Sequence, residues 1–145
     1  MIKNILLFTS LLMFVYSPLS VARDDIGDYS VANVLVTEQA KAKLAGVRYY
    51  FGKKKHGKVS KRYGIYSTNK KSNAFGKSDQ EACEWVFLSA MIQLKERALK
   101  LGGNAVINIK SNYKGNLTSS NETFKCGAGA IIAGVALQGE VVSLK

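Results

Sequence analysis

Residues that commonly carry chemistry are scarce in this chain of 145: one histidine, two cysteines, one tryptophan, one proline, and ten acidic side chains against 21 lysines and arginines. One histidine and two cysteines cannot furnish the nitrogen and sulfur ligands of a zinc or other transition-metal site. The histidine, His56, is flanked by Lys55 and Gly57 with no acid nearby to orient it, so it reads as an exposed loop residue and not as a base. A nucleophilic triad has no other imidazole to draw on. Glu81 and Glu84 form a carboxylate pair, but with Asp79 they open a helix, where the macrodipole accounts for negative charge. No catalytic residue, no metal ligand and no cofactor are therefore expected.

Long apolar runs are few. Beyond residue 22 the longest uncharged one, Gly127 to Leu137, is too short and too rich in glycine to span a bilayer. The other lies at the start: Lys3 precedes an apolar run from Ile5 to Tyr16, Pro18 breaks it, and Ser20-Val21-Ala22 places small residues before Arg23. About 12 apolar residues fall short of the roughly 20 that a membrane span needs. The layout is that of a cleaved secretory signal over residues 1–22, cut after Ala22. No cysteine stands at the cut to take a lipid. The expected product is periplasmic or secreted, in an oxidising compartment without ATP. Residues 23–30 (RDDIGDYS) then read as a flexible polar lead-in, and 31–145 as a single domain without internal repeats.

Two cysteines in an exported domain of this size are most simply one disulfide, Cys83 to Cys126. The clearest element surrounds the first of them. Ser78-Asp79-Gln80-Glu81 is a capping box, and the helix it opens runs to Leu101, where Gly102-Gly103 ends it. Cys83, Phe87, Ala90, Met91, Leu94, Ala98 and Leu101 share a face about 100° wide, a core stripe. Trp85, Leu88, Ile92 and Leu99 form a second apolar ridge, to be covered by the N-terminal segment, by another subunit or by a protein partner.

Other elements are read more coarsely. Val31 to Val36 is a short apolar run, EQAKAKLA a helix closed by Gly46, and Val47 to Phe51 a strand. Tyr63, Ile65 and Tyr66 suggest a strand inside a basic, glycine-punctuated stretch. Ala105, Ile107 and Ile109 alternate on one strand face, Lys114 to Asn121 is a polar loop, and Gly127 to Leu144 is one bent or bulged strand whose glycines mark bulges or close approaches. The fold class is α+β: a small, mainly antiparallel sheet packed on one long helix, with one disulfide.

Positive charge is concentrated. Twelve lysines and arginines and no acid lie between Lys41 and Lys77. Lys53, Lys54, Lys55, Lys58, Lys61, Arg62, Lys70 and Lys71 are the candidate anion-binding surface, a field that draws phosphate, lipid headgroups, acidic polysaccharide or nucleic acid. Residues 52–59, GKKKHGKV, approach a phosphate-binding P-loop. The match fails at Val59, where a hydroxyl should hold Mg²⁺, and the following SKRYG is no apolar helix. Tyr49, Tyr50, Phe51, Tyr63, Tyr66 and Phe75 interleave the cations, as in proteins that stack single-stranded nucleic acid, or else they face the core.

The block from SDQEACEWVFLSAMIQLKERALKLGGNAVINIKSNY to FKCGAGAIIAGVALQGEVV resembles a group of small exported bacterial proteins, many labelled "excinuclease ATPase subunit". The likeness spans residues 38–144 and includes YYFGKKKHG and STNKKSNAFGKSDQEAC. The ATPase that the label implies has no intact P-loop and no paired zinc cysteines here. The C-terminal half is also similar to small domains described as heavy-metal-binding and to the RcsF outer-membrane lipoprotein. In the RcsF pattern one cysteine starts the helix and another precedes the last glycine-containing strand, the places of Cys83 and Cys126, which supports their bridge. The lipoprotein's anchoring cysteine and second disulfide are missing, so its attachment and partners do not carry over. The expected role is a non-enzymatic, envelope-associated binding protein for an anionic component or a protein partner. Nucleic-acid binding is the first alternative, and hydrolysis of envelope polymers the second.

Overall fold

The computed structural model describes Ser17 and residues 23–145, so the expected secretory signal over residues 1–22 lies, Ser17 apart, outside the described residues. The elements run β1 (Asp25–Ser30), α1 (Val31–Leu35), α2 (Glu38–Leu44), β2 (Arg48–Phe51), β3 (Val59–Asn73), α3 (Asp79–Leu101), β4 (Ala105–Tyr113), β5 (Asn116–Thr118), β6 (Thr123–Ala128) and β7 (Ile132–Leu144). The fold is α+β, a seven-stranded sheet against one long helix. Every pairing is antiparallel except β2 with β4.

The helix α3 forms where its sequence says it should. The Ser78 hydroxyl accepts from the Glu81 amide at 3.1 Å, and Gly102 closes the last turn at φ 85°, a left-handed conformation that glycine adopts without a Cβ penalty. Among the described residues the return bond from the Glu81 carboxylate is not made, so the box is half formed. Cys83, Phe87, Ala90, Met91, Leu94 and Ala98 are fully buried against the sheet. The disulfide joins α3 to β6, with Cα atoms 5.9 Å apart and 43 residues between the cysteines. Around it four rings run in contact: Tyr29 of β1, Phe124 of β6, Phe87 of α3 and Phe51 of β2, with successive centroids at 5.8, 4.0 and 5.9 Å.

β7 organises the sheet. Along one edge it pairs with the whole of β3; along the other it pairs first with β6 and then with β4. Its residues therefore divide between two cores. Val135, Leu137 and Val141 face α3, while Val142 and Leu144 join Ala105 and Ile107 on the opposite face, with Tyr50 and Val59 packed against them.

Four expectations need correction. Residues 23–30 are not a loose lead-in, because Asp25–Ser30 pairs in full register with β6 and its Tyr29 stacks on Phe124. The strand suggested by Tyr63, Ile65 and Tyr66 is present but far longer than those residues indicate, 15 residues ordered by β7. The segment Gly127–Leu144 is two strands, β6 ending at Ala128 and β7 starting at Ile132, with the turn closed by the Gly129 amide on the Ile132 carbonyl at 2.9 Å. Ile107 and Ile109 do not share a face. Asn108 takes φ 51° and the register slips between Ile107 and Lys110, which sends Ile109 to the helix side.

Candidate anion-binding surface

The connection between β2 and β3 carries the densest charge. It starts at Gly52, whose amide donates to the Ile109 carbonyl at 2.9 Å, and at Lys53, whose amide donates to Asn121 Oδ1 at 2.8 Å. Gly52 has φ 59°, and a Cβ there would meet that Asn121 oxygen at 2.4 Å, so the turn is built for glycine. At the far end the Lys145 amide donates to the Lys58 carbonyl at 2.9 Å. Between these ties the loop folds back over Tyr50, whose ring meets His56 edge-on at 5.7 Å. His56 Nδ1 lies 2.8 Å from the Gly57 carbonyl, which fixes the ring locally and gives it no acidic partner. A strapped loop of this kind keeps Lys53, Lys54, Lys55 and Lys58 exposed, with Lys145 alongside. Lys61 follows on β3, its ammonium 5.0 Å over the Tyr63 ring.

The eight predicted cations do not make one surface. Lys53, Lys54, Lys55, Lys58 and Lys61 gather at the first end of β3. Arg62 is engaged by Glu140, with both carboxylate oxygens within 2.8 Å of its Nη1, so much of its charge is compensated. Lys70 and Lys71 sit at the other end of the same strand, and alternation sends them to opposite faces. Lys70 borders a groove beside Ile92 and Glu96 of α3, whereas Lys71 lies near Ile131 and Ile132. Sequence reasoning missed Lys145, which only the β3–β7 pairing brings beside Lys58.

The aromatics interleaved with these cations are spoken for. Tyr63 Oη donates to the Gly102 carbonyl at 3.1 Å, and Tyr66 Oη to the Tyr63 carbonyl at 3.0 Å, with the Arg97 guanidinium 4.9 Å over its ring. Tyr49 reaches the Leu44 carbonyl at 3.3 Å, and its burial pushes the phenol well above its ordinary range. Phe51 is in the core. Of the six, Phe75 alone is fully exposed, and it lies far from the lysine loop.

The second ridge of α3 divides in two. Leu88 is buried under α1 and α2, bordering a groove with Val34 and Thr37, and Ile92 is half-buried. Trp85 and Leu99 remain exposed. The N-terminal segment thus covers Leu88, Ile92 borders a groove with Lys70 of β3, and the two ends of the ridge stay open.

A cluster that the sequence did not suggest ties the start of the domain down. Arg23 holds both Asp79 oxygens, at 2.9 and 2.8 Å, and also reaches Asp25 and the Gly129 carbonyl. Asp24 takes the Lys114 ammonium and the Tyr113 hydroxyl. These donors hold both carboxyls below their ordinary value of 3.8: Arg23 acts on Asp79, and Lys114 then Tyr113 act on Asp24. A carboxyl depressed by folding contributes above its ordinary value and loses that contribution as pH falls through its folded one. Protection of the β1 amides, taken relative to their intrinsic exchange rates, is therefore expected to fall below about pH 4, and Asp79→Asn to lower it about threefold at neutral pH while flattening the acid dependence. Unchanged β1 protection in the variant would remove the arm's anchor from this account.

Among the described residues no group of three His, Cys, Asp or Glu could hold a metal ion, and no helix is long and apolar enough to cross a membrane. Comparisons with protein-family models, with curated proteins and with solved structures give no match.

Proposed function

We propose that this chain is an exported, non-enzymatic binding domain whose lysine loop, Lys53 to Lys61, takes an anionic polymer of the cell envelope. The observation that carries the reading is the arrangement of that loop: five exposed lysines on a backbone tied at both ends, with none of the five in an ion pair among the described residues. A surface that concentrates one sign of charge on a fixed backbone attracts polyanions at long range and releases them as salt screens the field. Export is part of the reading. It rests on the signal-like residues 1–22, with which a buried disulfide agrees. The inward use of Tyr49, Phe51, Tyr63 and Tyr66 weighs against nucleic acid, since few rings remain for bases to stack on.

The test is retention on an immobilised polyanion such as heparin. Elution is expected at a salt concentration that drops steeply when Lys53, Lys54, Lys55, Lys58 and Lys61 are changed together to glutamine, whereas Lys95→Gln and Lys100→Gln on α3 leave it nearly unchanged. Retention that ignores salt, or ignores the five substitutions, defeats the reading. Preference for single-stranded DNA over heparin at equal ionic strength would move it to the nucleic-acid alternative.

A further inference from the structure

At the end of β3 remote from the lysine loop, two turns lie side by side. One follows β3 and carries Phe75; the other joins β6 to β7 and carries Ile131, with Ile132 opening β7 beside it. The Ala74 amide donates to the Ile131 carbonyl at 2.6 Å, so the turns form one unit, and Ala74 itself is buried beneath it. Three large apolar side chains are nonetheless turned to solvent there: Phe75 is 74% exposed, Ile131 64% and Ile132 54%. Such clustering at one end of the sheet marks a surface that is covered in use.

Two lysines frame the cluster. Lys71 lines the shallow hollow formed with Ile131 and Ile132, and Lys77 closes the Phe75 turn, its ammonium 3.4 Å from the Asn73 carbonyl. Neither is in an ion pair among the described residues. The nearby acids, Asp24 and Asp79, are taken by Lys114 and Arg23. Exposed apolar side chains with unpaired cations beside them suit an anionic lipid leaflet, where acyl chains take the first and phosphates the second. A protein partner fits less well, because three side chains at these two turns fall far short of the roughly 800 Å² per side that a stable interface buries.

We propose that this end of the sheet, its apolar tip, seats the protein on an anionic lipid surface, with Phe75, Ile131 and Ile132 entering the leaflet and Lys71 and Lys77 against its headgroups. The tip is separate from the lysine loop, and neither surface requires the other. The disulfide-bonded protein is expected to sediment with vesicles in which a third of the phosphatidylcholine is replaced by phosphatidylglycerol, and far less with phosphatidylcholine alone. Changing Phe75, Ile131 and Ile132 together to serine should lower the partition coefficient by about 100-fold, since all three are exposed and their loss costs the fold little. A tryptophan at the tip, Phe75→Trp with Trp85→Phe, should shift its emission to the blue and be quenched by lipids brominated on the acyl chain.

Equal binding to neutral vesicles, full binding by the serine variant, or an unquenched tip tryptophan would each overturn the proposal. So would a dimer in lipid-free solution that the serine substitutions dissolve, which would make a second copy the occupant. The two surfaces fail separately. The serine variant should still elute from heparin like the parent, and the five-lysine variant should keep its acyl-chain quenching.

Discussion

Replacing both cysteines, Cys83→Ala with Cys126→Ala, is expected to lower the free energy of unfolding by about 4 kcal/mol, the value chain-entropy arguments assign to a closed loop of this length. Against a total stability of order 5–15 kcal/mol, that removes from about a quarter to most of it, and at the low end leaves a sizeable unfolded fraction at 37 °C. The position of the bridge makes the loss hard to absorb. Both cysteines are fully buried, one in the second turn of α3 and the other in β6, so the bond fixes the helix against the strand that β1 and β7 also use. Denaturant unfolding of the oxidised protein, the reduced protein and the alanine variant would measure it. A loss under 1 kcal/mol would mean that packing alone holds α3 on the sheet.

The second large effect lies one turn further along the helix. Phe87→Ala is expected to cost about 3–5 kcal/mol, the range for truncating a fully buried ring. Phe87 lies face to face with Phe124 at 4.0 Å and touches Phe51 at 5.9 Å, so its removal leaves a void bounded by three elements that cannot all close in. Phe87→Leu should cost clearly less, because most of the volume is restored. Cys83 and Phe87 stand one helical turn apart on the same face, so the triple variant should depart from the sum of the two effects. Additive losses would show that ring stack and bridge act as separate supports.

Much of this was legible in the residues. The Ser78 cap, the seven-residue apolar stripe and Gly102 define α3 because helix signals are local: a hydroxyl three residues from an amide, a 3.6-residue period, a glycine able to turn left-handed. The disulfide followed from the cysteine count. The strands were harder. β1 is written in polar residues, and its order comes from pairing with β6 and from Tyr29, neither of which leaves a periodic trace. β3 resembles a loop because it lies at the sheet edge, where lysines are tolerated on the outward positions and a glycine, Gly64 at φ 115°, marks a register slip. In β4 a single Asn108 in a left-handed conformation reverses the facing of everything after it, which no alternation count registers. The basic surface was legible as a number of charges but not as a distribution. Glu140, which engages Arg62, lies 78 residues away, and Lys70 and Lys71 are parted by the pleat.

The same long-distance pairing governs how the molecule is made. Asp28 of β1 meets Lys125 of β6 across 97 positions, and β3 finds its partner only in the last strand described. β3 has no partner until β7 is made, and β1 must wait for β6, so closure comes late and at the slow end of the timescale for domains of this size. Until β6 and β7 have been made, β1 and β3 remain loose ends with nothing to zip onto.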